Sequence, residues 1–175
     1  MELSFKEKTI KYSVYCAILL ALSFIQNVPG LSVEIAGARC FLLIPACVLL
    51  GLGEDERASA LLGLFAGLLW DAVSLQHKGF SCIILMLMCY TVAALAVFIF
   101  RNTFWYAAAS AVVCIVIYVL LYWLLFVVFG GGDGAGYAFV HFYLPSMGYT
   151  LALTPILYFI FRPIKAKLNK KADED

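Results

Sequence analysis

The sequence predicts an all-α integral membrane protein, one domain spanning residues 1–175 and built from six transmembrane helices. Three observations predict it. First, 65% of the 175 residues are apolar or aromatic and only 13% are charged, with a mean hydropathy of +0.98. Soluble domains run at roughly 45–50% apolar and 25% charged, and a soluble fold of this length has too little interior to hide so much apolar surface. Disordered chains are polar, so the same numbers exclude disorder. Second, the apolar residues fall in long continuous runs separated by short polar breaks. That is the signature of spanning helices, which satisfy their own backbone, and not of a barrel's short alternating strands. Third, Lys and Arg concentrate at both ends of the chain.

The runs follow in order. The first covers about residues 12–28 and stops at Pro29-Gly30. It follows a basic start, as a signal peptide would, but Ala21-Leu22-Ser23 is a poor cleavage site inside the run and further runs follow. It is therefore expected to remain as a helix. The second covers about 36–52, the third 58–73 and the fourth 79–100. The fifth, about 103–129, is long enough to tilt. A glycine-rich link over 130–136 reads as a flexible loop, and the sixth run covers about 137–161. The tail, 162–175, is first basic and then acidic.

Charge placement predicts the orientation. With the N-terminus in the cytoplasm, the inner segments hold Lys6, Lys8, Lys11, Arg57, Arg101, Arg162, Lys165, Lys167, Lys170 and Lys171. The outer segments hold only Arg39 and Lys78, a split of ten against two. Only an even number of spans puts both basic ends on one side, so both termini are expected to be cytoplasmic. Trp105 and Tyr106 at the inner edge of span five, and Tyr137, Phe142 and Tyr143 at the outer edge of span six, suit the headgroup level. The six cysteines form no CxxC pair and read as small packing residues.

Span three carries the most information. Ser59, Gly63, Gly67 and Asp71 recur every fourth residue and make one ridge of a helix. Small residues at this spacing let another helix approach closely, either from within the chain or from a partner. Asp71 is the one carboxylate embedded near the end of an apolar run, where an unpaired charge is costly. It is expected to accept hydrogen bonds from the turn between Ser74 and Gly79, with His77 and Lys78 as candidate charge partners. Ahead of span three, Glu54, Asp55, Glu56 and Arg57 suit a helix N-terminus. Glu54, Glu56 and Arg57, together with Arg101, are also candidates for docking a cytoplasmic protein.

The stretch from Glu56 through Gly63, Gly67 and Asp71 to Ser74, followed by Gly79-Phe80, resembles the signature region of the MreD family of rod-shape-determining membrane proteins. Tyr90, Phe100-Arg101-Asn102, and more weakly Pro155, Tyr158 and Arg162, fit the same pattern. The sequence departs from it at Leu75-Gln76-His77-Lys78, where a smaller turn with glycine is expected. The resemblance implies a multi-pass protein of the bacterial cytoplasmic membrane with a fold similar to the S components of energy-coupling-factor vitamin transporters. It implies a non-enzymatic, cofactor-free subunit of the rod complex in peptidoglycan synthesis. Its partners would be a single-span MreC-like protein, RodA with its class B penicillin-binding protein, and MreB filaments.

The alternative is a vitamin-binding S component. Ala17 and Ala21 would then form the docking stripe, and Asp71, His77, Tyr137 and His141 would supply an outer ligand site. Gly131-Gly132-Asp133 resembles an intramembrane aspartyl protease motif only distantly, because its aspartate lies in a glycine-rich loop. No phosphate-binding loop or HExxH motif is present, and the near-zero net charge argues against nucleic acid.

Overall fold

A computed structural model describes residues 5–28, 40–74, 79–99, 104–130 and 135–170. Helix α1 is Phe5–Asn27, α2 is Leu43–Gly51, α3 is Glu56–Val73 and α4 is Phe80–Ile99. Helix α5, Phe104–Tyr122, runs on into a π-helical stretch, Trp123–Val128. Helix α6 is one rod made of Ala135–Ala138, a π-helical Phe139–Tyr143 and the long Leu144–Lys170. No strand occurs among the described residues.

Among the described residues, four rods are long and apolar enough to cross a membrane: Glu7–Asn27, Phe80–Val97, Phe104–Val128 and Gly136–Asn169. The other two differ from the expected spans. Helix α3 carries Glu56, Arg57 and Asp71 within its 18 residues. Helix α2 has only nine residues, where a run over about 36–52 is expected, and residues 36–39 lie outside those described. The last rod continues through Pro155 and Pro163 to Lys170, so the start of the basic tail is helical.

All nine residues of α2 are buried. It sits in the middle of the bundle, touching α1, α3, α4, α5 and α6, while α3 and α4 pack along most of their lengths. The core gathers around it: Tyr15 and Leu19 from α1, Leu85 from α4, Ile115 and Val119 from α5, Leu157 and Phe161 from α6. Cys40, Cys47, Cys82, Cys89 and Cys114 are buried and Cys16 is half-buried, all as free thiols. The outward faces carry Ile10, Phe24, Leu61, Leu68, Ile83, Val97, Val113 and Phe159, a coat suited to hydrocarbon.

A short, buried helix needs partners for its orphan backbone groups. They come from other helices. At its start, the Gln26 side-chain oxygen accepts from the Leu43 N–H at 3.3 Å, and the Thr150 hydroxyl accepts from the Phe41 N–H at 3.0 Å. At its end, the Lys165 ammonium donates to the carbonyls of Leu49 and Leu50, each at 3.0 Å, and to that of Leu52. The positive charge also faces the negative end of the α2 dipole. Helix α6 thus clasps α2 at both ends, which fixes the depth of each against the other.

Candidate functional site

The ridge on α3 meets α4. Ser59, Gly63, Gly67 and Asp71 are all buried. The Ser59 hydroxyl donates to the Cys89 carbonyl at 3.0 Å. A Cβ at Gly63 would lie 2.9 Å from the Cys89 side chain and closer still to the Leu85 carbonyl oxygen. At Gly67 it would lie 2.6 Å from the Cys82 nitrogen and 2.7 Å from the Ser81 carbonyl oxygen. The two backbones are therefore in direct contact, and the ridge is filled by a helix of this chain. No room is left on that face for a partner's helix.

Asp71 closes the far end of the ridge. Its Oδ2 accepts from the Gly79 N–H at 2.8 Å and the Cys82 N–H at 3.2 Å. Gly79 begins the helix, since its carbonyl accepts the first bond, from Ile83. It has a φ of 94°, a region where a side chain costs about 1–2 kcal/mol. Glycine has no side chain with which to cap the helix, so α3 supplies the cap to α4. A carboxylate there also favours the positive end of the helix dipole. Oδ1 is buried and has no hydrogen-bond donor among the described residues. Residues 75–78, which include His77 and Lys78, lie outside those described. Replacing Asp71 with alanine should cost about 1–2 kcal/mol. Asparagine keeps an acceptor and should cost less than half as much. Thermal unfolding of both variants in detergent checks the order; equal losses would show that the acceptor does not matter.

At the opposite end of α3, Glu54 turns inward. Its Oε1 pairs with the Lys11 ammonium at 2.7 Å and accepts from the Tyr15 hydroxyl at 3.1 Å, with both charged side chains nearly enclosed. The charge of Glu54, a candidate for docking a cytoplasmic protein, is thus engaged within the chain. Arg57 is exposed and Glu56 partly so, while Arg101 lies outside the described residues. Lys11, Tyr15 and Lys165 are structural residues that the sequence reading missed. Lys11 and Lys165 count there only as topology charges. The available signal was the i, i+4 spacing of Lys11 and Tyr15, which places both on one helix face.

Near Asp71, Phe41, Trp70, Tyr118, Val119, Tyr122 and Tyr143 line a cavity of about 210 Å³. Phe41 and Trp70 also border a second one, of about 200 Å³, with Gln26, Asn27, Val73 and Ser74. The Tyr118 hydroxyl is within 3.0 Å of the Ser81 hydroxyl. Tyr137 and His141, expected to serve an outer ligand site, instead stack on each other at 3.9 Å, and neither lines these cavities. Among the described residues no three His, Cys, Asp or Glu side chains are placed to hold a metal ion.

The family model for rod shape-determining protein MreD matches residues 7–168. The chain belongs to the MreD family. The match takes in the α3 ridge, the Asp71 cap, the Lys11–Glu54 pair and Lys165, so the polar ties of this MreD bundle all lie inside the family region. Membership makes it a membrane protein of rod shape determination. No curated protein and no solved structure matches the chain. The vitamin-transporter alternative draws no support from these comparisons.

Proposed function

We propose that this chain is a non-enzymatic subunit of the bacterial rod complex. It lies in the cytoplasmic membrane with both termini inside and supports lateral peptidoglycan synthesis. It binds a single-span MreC-like protein and the synthase formed by RodA and a class B penicillin-binding protein, with MreB filaments on the cytoplasmic side. The family match over residues 7–168 carries this reading. The use of its buried charges supports it: Asp71 caps a helix, Glu54 and Lys11 pair, and Lys165 holds the end of α2. These groups join helices and build a rigid body that other membrane proteins recognise from outside. Glu56 and Arg57 remain candidates for inner-face contact.

An affinity-tagged chain, extracted from a rod-shaped host in mild detergent, should bring down the MreC-like protein and the synthase. Depleting it should turn rods into spheres. Recovery of the chain alone, or depleted cells that stay rod-shaped, would contradict the assignment.

A further inference from the structure

One cleft remains unused by any of this. It lies between the end of α2 and one face of α6, has a volume of about 200 Å³, and is lined by Leu49, Leu52, Tyr158, Phe161, Arg162, Lys165, Ala166 and Asn169. Its walls divide by chemistry. Leu49, Leu52 and Phe161 are buried and apolar, whereas Arg162, Ala166 and Asn169 are exposed. Two cations face the cleft and no carboxylate does. They are not equivalent. Lys165 gives its three N–H donors to the Leu49, Leu50 and Leu52 carbonyls, so it contributes charge but no free donor. Arg162 makes no ion pair among the described residues, and its planar fork of five donors matches a phosphate. Asn169, two turns further along the same face, adds a neutral amide.

We propose that this cleft holds the phosphate of an anionic phospholipid. The guanidinium of Arg162 grips the phosphate, Asn169 donates beside it, and Lys165 supplies a fixed second positive charge. The first acyl carbons lie along Leu49, Leu52 and Phe161. Its place, at the basic end of an apolar rod beside a tyrosine, is the depth at which headgroup meets hydrocarbon. The volume suits one phosphate with its adjoining glycerol and excludes a whole lipid, so the tails stay in the bilayer.

Native mass spectrometry of the purified full chain, given phosphatidylglycerol or phosphatidylcholine in turn, tests this. One phosphatidylglycerol should be retained in preference to phosphatidylcholine. Arg162→Gln should cut its occupancy about fivefold, the effect expected of one cation at an anionic surface. Arg57→Gln, an exposed arginine at the same end of the bundle but outside the cleft, should leave it unchanged. Asn169→Leu, which narrows the cleft without removing charge, should also lower it. Equal retention of both lipids, or equal loss from the Arg57 and Arg162 variants, would overturn the proposal. So would binding of inorganic phosphate that depends on Arg162 without any lipid preference, since that assigns the cleft to a free anion.

Discussion

Gly67→Leu should leave no monodisperse protein to recover from the membrane. Gly148→Ala, a glycine replacement in α6, should behave as wild type. The difference lies in what each new atom meets. A Cβ at Gly67 falls 2.6 Å from the Cys82 nitrogen, whereas nothing lies within 4 Å of one at Gly148. The obstacle at Gly67 is the backbone of α4, which cannot rotate away as a side chain would. Separating the helices would also break the Asp71 bonds to Gly79 and Cys82. Even Gly67→Ala should destabilise by about 1–3 kcal/mol, the range for overpacking. That lowers the unfolding midpoint by about 5 °C for a chain of this size. Alanine otherwise favours a helix over glycine by up to about 1 kcal/mol, so Gly148→Ala should be neutral or slightly stabilising. Fluorescence-detected size exclusion after graded heating measures all three variants. An unshifted, sharp peak for Gly67→Leu would mean that α3 and α4 do not meet as described.

The second large effect is at the other end of α3. Lys11→Met and Glu54→Met should each cost about 3–5 kcal/mol, because each strands the opposite charge in a nearly closed site. The double variant should recover most of that loss, since a buried ion pair replaced by apolar groups is often neutral. A residual cost of about 1 kcal/mol should remain from the Tyr15 hydroxyl, which loses its acceptor. A double-mutant cycle on thermal midpoints reads the coupling directly. Additive losses would show that the two side chains do not interact.

These two sites also show what the sequence could express. The helical class was legible because apolar runs of spanning length admit few other structures. The four-residue recurrence of Ser59, Gly63, Gly67 and Asp71 was legible for the same kind of reason: period and residue size are local properties. What fills the ridge was not legible. A small stripe specifies close approach, but whether α4 or a foreign helix approaches is a tertiary fact. Helix α2 misleads in a related way. Its composition matches a lipid-facing span, yet all nine helical residues are enclosed, because hydropathy does not separate a protein interior from hydrocarbon. Lys165 shows a third limit. Its position in a basic tail is a topology signal, and only the fold brings its ammonium to the end of α2, over a hundred residues earlier.

The proposed function rests on binding other membrane proteins, so the decisive question is which surface is already taken. The most direct test is an experimental structure of the chain bound to the proposed single-span partner. The expected result keeps Gly63 and Gly67 against Leu85, Cys89 and Cys82 of α4, Asp71 on the Gly79 and Cys82 amides, and the partner's helix on an outward face. A partner helix lying in the Gly63–Gly67 groove, with α4 displaced from it, would contradict the central claim that this seam joins the chain to itself.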